Sequence, residues 1–307
     1  MNKKINIEIS VVYLARGIGY GLNEIEKFLE SYKNHSAGIE HELIIAAKGW
    51  ERKEEQYKKL LELAKENNAD VIDLMDDGFD LWAYFRISQI LNSKYVFFIN
   101  TSSVILKDNW LLKFYNAFKS NSNLKLAGAT GSSELTSNPV ASIRHEYWGS
   151  RERNLKNKLI VASKVLFYKL FIDFKLVMAR KLRPIKFPNY HIRTNGFFLE
   201  LEMFLDFMSQ KKLPKNKNHA YELESGHNGL TKFIMDKGYD VSVVGDDGIA
   251  YKPEDWKNSK TSVNPDLSNL ILSDNHTRLF ENWDLETKQN YEKKVWGEVL
   301  TKNEGQD

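Results

Sequence analysis

Four polar stretches hold the side chains with chemical capability. Glu224 stands in Glu224-Ser-Gly-His227, and a carboxylate in such a loop can take a proton from a hydroxyl group. The same carboxylate could instead satisfy the N-terminal dipole of a helix expected to follow it. Glu222 is its rival. His191, Arg193, Thr194 and Asn195 cluster just after Pro188, whose ring restricts the approach of the chain, and they suit a polar or anionic ligand. Asp76, Asp77 and Asp80 can hydrogen-bond a base or a ribose, although Asp-Asp-Gly also makes an ordinary turn. Arg16, Arg86, Arg193 and Lys252 are candidate cations for a diphosphate, with the backbone N–H groups of Gly17–Gly21 beside them. Each arginine taken alone fits a solvated or structural ion pair equally well.

These residues need elements to position them. Residues 5–14 read as a buried strand, 41–47 as a second, 71–74 as a third and 95–99 as a fourth. Helices are expected from Asn23, as N-cap of a capping box with Glu26, to about 34, and then over 51–67, 80–92 and 110–119. Alternating strands and helices predict an α/β fold, a mostly parallel sheet flanked by helices. Ligands of such sheets bind beyond the carboxyl ends of the strands, so 16–21, 76–80 and 100–103 should converge on one cleft, bringing in Asn100 and Ser102. Further on, strands are expected at 124–130, 195–200 and 239–244. Residues 215–218 read as loop, 229–237 as a helix stopped by Gly238, and 285–301 as a helical tail. Asp246-Asp247 reads as a turn.

The 307 residues are read as one domain, 1–307, with balanced charge: 44 Lys and Arg against 41 Asp and Glu. That balance gives no nucleic-acid signal. The absence of cysteine excludes disulfides, thiolate metal sites and cysteine nucleophiles. Neither a signal peptide nor an apolar span of membrane length is visible, so a cytoplasmic location is expected. Charge is uneven in one place. Residues 151–186 carry 11 Lys and Arg against 2 acids, mixed with Leu and Phe. They read as a basic helical insertion, either packed on the domain or lying on an anionic membrane surface. Gly17-x-Gly-x-Gly21 invites a dinucleotide reading, but position 22 is Leu and strand two ends in Lys48 where a ribose-binding acid is needed.

Tyr95-Val-Phe-Phe-Ile-Asn-Thr-Ser-Ser-Val-Ile-Leu-Lys-Asp-Asn-Trp-Leu111 resembles the strand and helix start of family-2-type glycosyltransferases. Asp76-Asp-Gly78 with Arg86, and Glu224 through Gly238-Tyr to Val244, resemble later segments of that family. A narrower group of bacterial glycosyltransferase-like proteins is suggested by Ala37-Gly38, Gly128-Ala-Thr-Gly131, Phe187–Asn195, Glu224-Ser-Gly226 and Asp274-Asn-His-Thr277. The resemblance implies the GT-A architecture and a nucleotide-sugar donor. It also implies a glycan or lipid-linked acceptor and a role in surface polysaccharide assembly. On it, the general base of an inverting transfer would fall at Ser225, so the role either shifts to Glu224 or is lost. Arg16, Asp76, Asp77, Asp80, Arg86, Asn100 and Ser102 fall to the donor, and His191, Arg193, Asn195 and His227 to the acceptor or diphosphate. The chain departs from the family at its Asp-x-Asp metal motif, which would fall at Asn100–Ser103, and at a later metal-ligand His, which would fall near Tyr251. Mg²⁺ or Mn²⁺ wants carboxylate oxygens, so metal-independent binding or a displaced metal site is expected. A non-catalytic protein that binds a nucleotide sugar or glycan is the alternative.

Overall fold

The computed structural model describes residues 7–134 and 185–297. Strands β1 (Ile9–Arg16), β2 (Glu42–Lys48), β3 (Ala69–Leu74) and β4 (Tyr95–Ile99) run parallel in the order β3-β2-β1-β4. Helices α1 (Leu22–Asn34), α2 (Glu55–Glu66) and α3 (Asp80–Ser88) return the chain between them. Then come β5 (Val104–Ile105), α4 (Trp110–Ser120), β6 (Leu124–Gly128) and β7 (Gly131–Ser132). After the break lie β8 (His191–Ile192), β9 (Gly196–Glu200), α5 (Leu201–Ser209), α6 (Lys217–Ser225), α7 (Leu230–Asp236) and β10 (Asp240–Val244). The chain closes with β11 (Ala250–Tyr251), a 3₁₀ turn (Pro253–Asn258), β12 (Leu272–Ser273), α8 (Asn275–Glu281) and α9 (Leu285–Trp296).

Among the described residues the main sheet has eight strands, in the order β11-β10-β6-β9-β4-β1-β2-β3. Its parallel grain is interrupted by β9, which lies antiparallel between β4 and β6. β4 and β9 are apolar on both faces because both faces are covered. Phe97 and Phe198 point into the layer with Tyr13, Trp110 and Phe114. Phe98 and Phe197 point into the opposite layer with Tyr84, Phe204 and Phe207. All of these side chains are fully buried, each removing about 1.5–3 kcal/mol of apolar exposure from water.

Several expectations need correction. α1 begins at Leu22 behind Gly21, which supplies no side-chain cap. Asn23 lies inside the helix and donates to Glu24 instead of closing a capping box with Glu26. α2 starts only at Glu55. Residues 217–225 form a helix, α6, capped by Asn216, where a loop was expected to run through 218. α9 ends at Trp296, where Gly297 turns left-handed at φ 84°; positions 298–301 of the expected helical tail lie outside the described residues. The basic segment 151–186 lies outside the described residues apart from its last two positions. Among the described residues no helix is long and apolar enough to cross a membrane.

Candidate functional site

The carboxyl ends of β1, β2 and β3 bring Arg16, Lys48 and the Asp76–Asp80 loop together. Lys48 is the best-buried charge there, 2% exposed. It donates to the Gly78 carbonyl at 3.1 Å and lies 4.0 Å from Asp76. Burial and the Arg16 guanidinium pull its pKa down, and Asp80, Asp76 and Asp77 pull it up. Asp77 accepts from Arg86 at 2.6 Å, so these two predicted donor-site residues face each other. The loops after β1 and β2 touch so closely that a Cβ on Gly17 would stand 2.5 Å from the Gly49 carbonyl oxygen. The Gly17–Gly21 turn does not offer the row of amides expected of it. Gly17 N–H donates to Lys48, and those of Tyr20 and Gly21 to Gly17.

Asp80 opens α3, and Glu224 sits in the last turn of α6, not in a loop as expected, with α7 following only at Leu230. That end of a helix carries partial negative charge, so the dipole opposes the Glu224 carboxylate instead of being satisfied by it. Glu224 is half-buried and enclosed by protein. Burial, then the neighbouring Asp80 carboxylate, push its pKa up to about 8 against the pull of Arg193 and Lys217. Burial raises Asp80 as well, opposed by Arg16 and Lys48. The Tyr84 hydroxyl is fully buried, feels both carboxylates, and has no hydrogen-bond partner among the described residues. Two carboxyl groups, a phenol and three cations thus face one another at the strand ends.

A second constellation adjoins the first through Arg193. Its guanidinium donates to Asp274 at 2.9 Å, and Asp274 also caps α8 in a reciprocal box with Thr277. Arg193 N–H donates to Thr130, and the Thr130 hydroxyl donates to the Asn195 amide oxygen at 2.8 Å. Asn195 is 1% exposed and its amide nitrogen has no partner among the described residues. Its backbone oxygen accepts from Asn100 N–H and the Ser103 hydroxyl, tying this constellation to the end of β4. The short motifs 128–131, 187–195, 224–226 and 274–277 therefore interlock. Asn189 donates to Ser225, and Ile192 N–H donates to Thr231.

His191 is buried in the β7–β8 hairpin and donates from Nδ1 to the Asn189 carbonyl, and burial lowers its pKa. His227 lies on the turn after α6, its amide held by Glu222. Lys252 is exposed beside β11, at the sheet edge opposite β3. The structure thus joins Arg16, Asp76, Asp77, Asp80, Arg86 and Glu224 with Arg193, Asn195, Asn100 and Ser102. It sets Lys252 apart and makes His191 part of the hairpin. Sequence reasoning passed over Lys48, Tyr84, Asp274 and Arg278 as site groups. Lys48 had a legible signal, a charge closing the apolar run Leu43–Ala47.

A divalent metal does not fit the Asn100–Ser103 loop. Thr101 donates its hydroxyl to Leu14, Ser103 donates to Asn100 and Asn195, and the Ser102 carbonyl accepts from the Arg278 guanidinium at 2.9 Å. No carboxylate belongs to this loop, and hard cations need them. Among the described residues no three His, Asp or Glu side chains are grouped to hold a metal.

No family model matches the chain, and no curated protein matches it in sequence. Solved structures similar to it include 4-diphosphocytidyl-2C-methyl-D-erythritol synthase from Anaerococcus prevotii, at 14% identity and a TM-score of 0.42 over 78% of this chain and 87% of that one. Mouse xyloside xylosyltransferase 1 is similar at 10% identity and 0.39, over 77% and 84%. The galactosyltransferase LgtC is similar at 8% and 0.40, over 76% and 73%. At these identities and scores the likeness carries no information about substrate or chemistry.

Proposed function

We propose that this protein is a glycosyltransferase that moves a sugar from a nucleotide-sugar donor to a hydroxyl of a glycan or glycolipid. The observation that carries the reading is the pairing of Glu224 with Asp80 at the strand ends, ringed by Arg16, Lys48 and Arg193. In this reading Asp76, Asp77 and Asp80 meet the nucleoside, and the cations meet the diphosphate. Glu224 takes the acceptor hydroxyl proton as that oxygen attacks the anomeric carbon. The bond from that carbon to the diphosphate oxygen breaks, and the nucleoside diphosphate leaves. A carboxylate with a pKa near 8 is a stronger base than an ordinary one and still ionises near neutral pH.

The test is a thermal-shift panel of UDP-, GDP-, CMP- and dTDP-sugars, followed by an assay of nucleotide release with mixed glycan acceptors. A native-state ligand must raise the melting temperature. A shift and acceptor-dependent release are expected. A shift without release under any acceptor would favour a binding protein, for which the misfit of a metal at Asn100–Ser103 speaks. No shift with any nucleotide sugar would overturn both.

A further inference from the structure

We infer that Arg278 is a built-in cation for the donor's diphosphate, held at the end of β4 where a divalent ion would otherwise be required. The inference rests on the nucleotide-sugar reading above. Arg278 reaches from α8 to donate to the Ser102 carbonyl at 2.9 Å, with a longer contact to the Ser273 carbonyl at 3.5 Å. Both partners are neutral. Arg193 and Arg86 are answered by Asp274 and Asp77, whereas no carboxylate among the described residues lies within ion-pair distance of Arg278. Among the described residues its positive charge is therefore unpaired, and it is only half-buried.

The placement is secured from both sides. Asp274 caps the helix that bears Arg278 and at the same time grips Arg193, so one carboxylate fixes the approach of two guanidiniums. The loop under Arg278 is pinned through Thr101 to β1 and through Ser103 to Asn195. A guanidinium fork matches the oxygens of a phosphate and carries a charge that does not depend on pH. A carbonyl that orients an arginine, in a loop without carboxylates, is suited to an organic cation and unsuited to Mg²⁺ or Mn²⁺.

Calorimetric titration with UDP, GDP, CDP and dTDP, each in EDTA and in Mn²⁺, tests this on the whole chain. Arg278→Gln removes the charge but keeps a polar amide, and Arg278→Lys keeps the charge. The expected result is binding of one diphosphate with Kd in EDTA within about threefold of that in Mn²⁺. Arg278→Gln should weaken it at least about tenfold, and Arg278→Lys should stay within about fivefold. Binding that appears only with Mn²⁺ overturns the inference and leaves the nucleotide reading standing. Metal-free binding that Arg278→Gln leaves unchanged removes Arg278 from the role. If no diphosphate binds under either condition while a nucleotide sugar raises the melting temperature, this inference falls and the nucleotide reading stands; if neither binds, both fall.

Discussion

Glu224 illustrates how position within an element sets chemistry. At the carboxyl end of α6, facing Asp80, it holds its proton to about pH 8. Its free-state value is 4.5, so the native state keeps a proton that the unfolded chain releases between those limits. This group therefore lowers stability as pH rises from about 4.5 to about 8, and the loss is complete above that. Glu224→Gln should cancel the effect and gain about 1–3 kcal/mol at pH 8.5, read from urea unfolding at pH 5 and pH 8.5. The same variant should lower kcat at least about 100-fold and abolish the rise of kcat/KM toward pH 8. A variant that keeps the rising limb would exclude Glu224 as the base.

At the scale of elements, the β7–β8 hairpin is the part that sequence patterning hid. Its strands are two residues each, too short to show alternation, and its partners are distant in the chain. What places it is the 3₁₀ turn beyond β11, where Trp256 is 1% exposed and lies flat against Gly131. A Cβ at position 131 would stand 2.4 Å from that ring. Gly131→Ala should therefore cost about 1–3 kcal/mol in urea unfolding. It should also weaken nucleotide-sugar binding, because the hairpin leads directly into Arg193 and Asn195. The first four strands, by contrast, were legible because each holds a short apolar run with β-branched residues and is followed by a polar turn. α6 was not, since its sequence KNHAYELES has little apolar periodicity and depends on the Asn216 cap and on packing.

For the whole molecule, the sheet order accounts for both the success and the failure of the sequence reading. A parallel α/β sheet with its site beyond the strand ends followed from alternation alone, and Arg16, Asp80 and the β4 loop do meet there. The groups that complete the site come from residues 189–195, 224 and 273–278, joined by contacts spanning up to 176 positions. No local pattern records such contacts. α9 is a further long-range brace. Ser133 donates to the Val295 carbonyl at 2.5 Å, Lys294 pairs with Glu134 at 2.6 Å, and Trp296 donates to Val263 at 3.0 Å. A chain ending at Trp283 loses the fully buried Val295 and the packing of Trp296. It should lose about 2 kcal/mol or more, a fall in melting temperature of a few degrees measurable by calorimetry. An unchanged melting temperature would show α9 to be an appendage.

The antiparallel strand at the centre of the sheet also has a consequence for biosynthesis. On the ribosome, β4 is complete once residue 99 has emerged, but its partner β9 starts only at residue 196. At about 5–20 residues per second, the wait is roughly 5–20 s. For that time the nascent chain carries Tyr-Val-Phe-Phe-Ile as an open sheet edge, apolar on both faces, the kind of template on which another chain can pair. Chaperone cover over this interval, and codon choice between residues 99 and 196, should therefore govern the soluble yield of the protein more than changes on its finished surface.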